Sequence, residues 1–166
     1  MFFVRSEEVI SCPCCHERLK VIGSRRRGFV ESSGNRKILV IRRLKCEVCR
    51  RIHHELPNIL VPFKRYDAAS IEEIVVCPEP AVAADESTLR RLRAWFAAWI
   101  VYARQCLAAI ARQLRLSVEE VSGLPQSSLQ SNGPRVEKGP GWLKQFVRPI
   151  ANMNLWIQTR SAFLST

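Results

Sequence analysis

Cys12-Pro13-Cys14-Cys15, then thirty residues, then Cys46-Glu47-Val48-Cys49 is the stretch on which the fold turns. Two thiolates spaced by two residues can face one ion from a tight turn, and two such turns complete a tetrahedron. The spacing predicts a zinc ribbon, with Cys12, Cys15, Cys46 and Cys49 as the ligands of a structural Zn2+. Cys14 falls outside the two-residue spacing and is expected to be a spare thiol. Four thiolates already fill a closed site, so His16, His53 and His54 are expected to stay off the ion. A closed site has no position for an activated water, which argues against metal-assisted hydrolysis.

Outward from the two cysteine pairs, residues 1–10 read as a short entry strand. Leu19-Lys20-Val21-Ile22 is a short apolar run ended by Gly23, and Arg25-Arg26-Arg27 leads into Phe29-Val30. Ser32-Ser33-Gly34-Asn35 is turn chemistry, and the β-branched run from Lys37 to Leu44 feeds the second pair, so a hairpin between the pairs is predicted. Ile52-His53-His54-Glu55-Leu56 reads as a third strand that Pro57 closes. So small a sheet buries little apolar surface, and the ion must supply much of its folding free energy, about 10–16 kcal/mol for structural zinc in small peptides.

From Tyr66 the pattern turns helical. Ser70 to Val76 carries a capping residue and an acidic first turn and stops at Cys77-Pro78, and Pro80 to Ala84 is predicted as a short second helix. Asp85-Glu86-Ser87-Thr88 is a strong helix start, since acceptor side chains and negative charge both suit an N-terminus. The helix it opens has no Gly or Pro until Gly123. At 100° per residue Leu89, Leu92, Phe96, Trp99, Ala103, Cys106, Leu107, Ile110 and Leu114 fall on one face, with Trp95 and Tyr102 at its edge. That face is a core or an oligomer seam. Arg90, Arg93, Arg104, Arg112 and Arg115 lie opposite, and Cys77 and Cys106 read as buried apolar residues.

The expected fold class is α+β, an N-terminal zinc ribbon followed by a mainly α-helical, helix-turn-helix-like domain with one long helix. The expected divisions are a ribbon at 1–62, a helical domain at 63–122 with its long helix from about residue 85, a Ser/Gly/Pro-rich linker at 123–141, and a helical tail at 142–166 packing on the core or on a partner.

The chain of 166 residues carries a formal charge of +11, beyond what solubility requires, which favours a polyanionic partner. The charge is segmented, +9 over residues 1–65 and +6 over 87–116, separated by −6 over 66–86, so two basic elements are expected. Seven cysteines, an odd number with four in a metal pattern, point to a reducing compartment, the cytoplasm. Met1-Phe2-Phe3-Val4 is cut off by charge and is not expected to act as a signal peptide. The uncharged run from Ala94 to Ala103 is about half of a membrane span, so no membrane role is expected. No Gly-rich phosphate loop or nucleophile elbow is present, and His53-His54-Glu55 lacks the second half of a metalloprotease motif, so the chain is not expected to be an enzyme.

Helices after a basic ribbon invite a helix-turn-helix reading with Ser87–Arg93 opening the recognition helix, where Arg90, Arg91 and Arg93 would meet base edges. Arg25, Arg26, Arg27, Arg42 and Arg43 on the hairpin would meet phosphates, although consecutive strand residues alternate in face. The cysteine pairs, the run Val40 to Cys49 and Arg51-Ile52-His53-His54-Glu55-Leu56-Pro57 resemble the zinc ribbon that opens several bacterial insertion-sequence transposases. With Asp85-Glu86-Ser87-Thr88-Leu89-Arg90-Arg91, Asn154-Leu155-Trp156 and Thr159 to Leu164, the chain is similar to a bacterial family of unknown function that carries this ribbon without a transposase core. The resemblance implies a DNA-binding accessory or remnant of a mobile element, with double-stranded DNA as partner and nucleoid association when bound. Two other readings stand beside it: an adaptor holding a transposase or polymerase, and a binder of structured RNA. A homodimer through the long helix and tail is a further expectation.

Overall fold

The computed structural model describes residues 2–4, 11–123 and 140–156, and the backbone of 162–165. The expected linker falls almost wholly outside these residues, as do most of the expected entry strand and residues 157–161 of the tail.

The fold is mixed α+β, a small sheet with one long helix. Strand β1 (Phe2–Phe3) lies parallel to β3 (Arg36–Cys46), whose other edge carries β2 (Leu19–Val30) as the expected antiparallel hairpin. Gly34 turns the hairpin at φ +85°, and a Cβ there would meet the Ala83 side chain at 3.1 Å, so the tip needs glycine for both conformation and space. The register shift between Val21 and Gly23 is a β-bulge. Strand β4 (Ile52–Pro57) pairs antiparallel with β3, and β5 (Ala162–Ser165) pairs parallel with β4. The last strand corrects the expectation of a helical tail to residue 166. Four residues of edge pairing carry no periodicity that distinguishes them from a short helix.

Helix α1 (Ala68–Val76) is capped by Asp67, which accepts from Ser70 N at 2.8 Å, so Ser70 lies inside the helix instead of capping it. Helix α2 (Glu86–Leu114) begins at its expected cap, Asp85. Between them residues 77–85 are non-helical, and Ala83 N donates to Ser32 O at 2.7 Å. The short helix expected at Pro80–Ala84 is therefore not formed: its backbone is spent on the hairpin tip. A helix-turn-helix joins its helices by three or four residues, where α1 and α2 are joined by nine. Helix α3 (Val118–Ser122) is set by a capping box of Ser117 and Glu120, an S-x-x-E signal present in the sequence. Helix α4 (Trp142–Asn152) runs through Pro149. Val147, Ile150 and Ala151 around that proline are fully buried and hold the turn in place.

The face of α2 that the sequence left open between core and oligomer seam is filled within the chain. Leu89 through Ile110 on that face are buried, and only Leu114, at the helix end, is exposed. Trp99 stands 5.4 Å from Trp95, 5.3 Å from Trp156 and 6.5 Å from Phe146, while Phe96 meets Trp142 edge-on at 5.3 Å. Each such aromatic pair adds about 0.5–1.5 kcal/mol beyond the area it buries. The same core takes in Phe29, Leu39, Ile41 and Leu56 from the sheet and Ile71 and Ile74 from α1, so ribbon and helices share one apolar cluster. By length and composition alone α2 is apolar enough to cross a membrane, but the same residues serve here as the central helix of this core.

Candidate metal centre and basic surface

The two cysteine pairs form matching turns. Cys12 N donates to Glu17 O at 2.8 Å and Cys46 N to Arg51 O at 3.0 Å, five residues on in each case. His16 (φ 61°) and Arg50 (φ 63°), each directly after the second cysteine, take the left-handed conformation that closes the turn. Backbone amides aim at the sulfurs: Cys14 N at Cys12 Sγ (3.5 Å) and Cys49 N at Cys46 Sγ (3.4 Å). Such donors stabilise thiolate.

The turns bring Cys12, Cys15, Cys46 and Cys49 together, their sulfurs all within 4.8 Å of one another. Cys12 Sγ lies 3.6 Å from Cys49 Sγ, and Cys15 Sγ 3.5 Å from Cys46 Sγ. Four sulfurs each ~2.3 Å from a tetrahedral ion stand about 3.8 Å apart, so the cluster can hold a metal ion and fits structural zinc. Burial pushes the Cys12 thiol up to about 12. At Cys46 burial acts in the same upward sense, yet the N–H groups of Cys49 and Val48 and the thiols of Cys15 and Cys49 bring it down to about 7. A dication would compensate the cost of holding the buried thiolates.

A second donor set overlaps the first. Cys12, Cys14, Cys49 and His53 also lie within 4.8 Å of one another, and His53 Nε2 is 3.3 Å from Cys12 Sγ. His53 is fully buried, and that burial, followed by the nearby Arg51 and His54, holds its imidazole below the usual histidine range. Arg51 Nη1 reaches Cys14 Sγ at 3.2 Å. Cys14 is a spare by its spacing and His53 is superfluous beside four cysteines when only the sequence is read; the pairing of Leu44 with His53 across β3 and β4 is what brings the ring to the cysteines.

The arginines divide into solvent-facing and structural groups. Arg25, Arg26, Arg90 and Arg91 are exposed. Arg25 Nη1 lies 3.5 Å from His54 Nε2, and Arg91 donates to Ser87 O and Thr88 Oγ1 on its own helix. Arg27, on the side of β2 that also carries buried Phe29, donates to Lys64 O at 2.8 Å. Arg42 forms a forked ion pair with the fully buried Glu55, which raises the guanidinium above its ordinary value. Arg43 is half-buried, opposite Gly23 and His54. Arg93 caps the end of α1, donating to the carbonyls of Ile74 (2.9 Å), Cys77 (3.0 Å) and Pro78 (2.7 Å). A guanidinium has the fork to hold several carbonyls at once, a use that net charge in a sequence does not disclose.

Residues 12–92 match a domain of unknown function, DUF6431. The chain is similar to that family over just under half its length. The matched stretch takes in both cysteine turns, the hairpin, α1 and the first two turns of α2, and so includes Arg90 and Arg91. No curated protein and no solved structure matches the chain.

Proposed function

We propose that the chain is a zinc-dependent, non-enzymatic DNA-binding protein, an accessory or remnant of a mobile genetic element. The observation that carries this reading is the bond between the two basic elements. The tip of the metal-stapled hairpin is tied through Ser32 O to Ala83, two residues before the cap of α2, and a side chain at Gly34 would run into the same alanine. Arg25 and Arg26 on the hairpin and Arg90 and Arg91 at the head of α2 are exposed on elements so joined. The compact helix-turn-helix drops out of the reading, because the connection is long and Arg93 is spent on α1. What remains is phosphate contact by hairpin and helix start, which gives affinity and salt sensitivity before sequence choice.

Fluorescence anisotropy with duplex DNA across a salt series tests it. A footprint of about six phosphates gives a log–log slope of roughly −5. No binding at low salt sinks the proposal, and preference for an RNA duplex of the same length redirects it to RNA.

A second reading, an adaptor for a protein such as a transposase or polymerase, has its own observation. Phe2, Phe3, Val21, Ile22 and Ile38 are large apolar residues exposed on the ribbon strands, surface that a protein partner could cover. Changing Arg25, Arg26, Arg90 and Arg91 together to Ala separates the two. DNA binding is then lost on the first reading, whereas partner capture survives on the second.

A further inference from the structure

The overlap of the two donor sets points to a binuclear site. We infer that the ribbon binds a second thiophilic dication, held by Cys14 and His53, with Cys12 and Cys49 bridging the two ions. This rests on the metal-binding reading of Cys12, Cys15, Cys46 and Cys49 and extends it.

The geometry has the parts such a site needs. Cys12 and Cys49 belong to both sets, which leaves Cys15 and Cys46 on one side and Cys14 and His53 on the other. Each side with the shared pair supplies four soft or borderline donors, the number zinc takes in a closed site. The shared sulfurs are 3.6 Å apart. Ions placed ~2.3 Å from both, on opposite sides, stand about 3 Å from one another, close enough to share thiolates and far enough to be separate ions. The second set is also built into the protein. His53 is fully buried with Nε2 turned to Cys12 Sγ, and Cys14 is fixed by the same turn that donates its amide to Cys12. The charge closes as well: five thiolates around one dication are strongly anionic, a second dication removes most of the excess, and Arg51 at Cys14 balances what is left.

Zinc stoichiometry of the full-length chain tests the inference, by native mass spectrometry after saturation with Zn2+ and buffer exchange. Two ions per chain are expected for the parent and one for Cys14→Ser, which keeps Cys15 and Cys46 and with them the first site and the far-UV circular dichroism. Cys77→Ser, outside both sets, keeps two. Titration with Co2+ gives an independent signature. The high-spin cobalt signal in electron paramagnetic resonance grows with the first equivalent and falls with the second, as bridging thiolates couple the spins. One ion in the saturated parent overturns the second site and leaves the first standing. Two ions in both the parent and Cys14→Ser overturn it too, since the extra ion then lies elsewhere. No bound ion overturns both sites.

Discussion

Arg93 offers the sharpest test of where the structure departs from a charge-based reading. As a base-reading residue its loss would weaken DNA binding and leave the fold alone. As a cap on α1 its loss frees three carbonyls at 2.7–3.0 Å in a half-buried setting. Hydrogen bonds with a charged partner contribute about 1.5–3 kcal/mol each, but three from one group are not additive and part of the group faces solvent, so Arg93→Ala should cost about 2–4 kcal/mol. In a chain of this size that lowers Tm by about 5–15 °C, followed by far-UV circular dichroism on the metal-loaded protein. Arg93→Lys keeps the charge without the fork and should fall between parent and Ala. Arg91→Ala, on the exposed side, should stay within about 0.5 kcal/mol. An Arg93→Ala protein that melts with the parent refutes the capping role.

Glu55→Gln leaves Arg42 half-buried beside a neutral amide and should cost about 3–5 kcal/mol in denaturant unfolding, against less than about 1 kcal/mol for Glu31→Gln, which breaks only the surface pair with Lys37. Glu72 accepts from Gly141 N and Leu143 N at 2.8 and 2.7 Å, so Glu72→Gln should destabilise by about 1–3 kcal/mol and expose the amides at the start of α4 to hydrogen exchange. Arg50→Gly removes a side chain from left-handed backbone at the second cysteine turn and should raise stability by up to about 1 kcal/mol; a loss there contradicts the strain argument. Hydrogen bonds from Ser87 Oγ first, then from Thr88, draw the Asp85 carboxyl down to about 2, below its ordinary 3.8. A depressed folded-state value means the carboxylate's contribution is present above about pH 4 and lost as pH falls through about 2. The stability difference between the parent and Asp85→Asn should therefore shrink across that window, and a difference that stays flat denies the cap its charge.

Much of the ribbon was legible because its signals are local. Cysteine spacing, the Ser32–Asn35 turn and the β-branched run each act within a few residues, and the Asp85 cap and the apolar face of α2 likewise need no knowledge of the rest of the chain. What the sequence did not disclose depends on partners distant along it. Residues 80–84 have a plausible helical pattern, but the hairpin tip claims the Ala83 amide. Arg27, Arg42 and Arg93 look like any other cation until Lys64 O, Glu55 and the end of α1 are brought to them. Cys14 and His53 are separated by nearly the whole ribbon, and only cross-strand pairing makes them neighbours.

The pairing of β5 with β4 sets an order of events during synthesis. Both cysteine turns and His53 are synthesised by the time β4 is complete, whereas the strand that covers the edge of β4 follows about a hundred residues later. At about 5–20 residues per second, a nascent chain leaves that edge uncovered for about 5–20 s. An open strand edge is a template for the wrong neighbour, and parallel closure is slow to arrive. Early capture of metal would hold β3 and β4 in register throughout the wait. Metal supply at the time of translation, more than in the finished protein, would then govern how much of the chain reaches its native state.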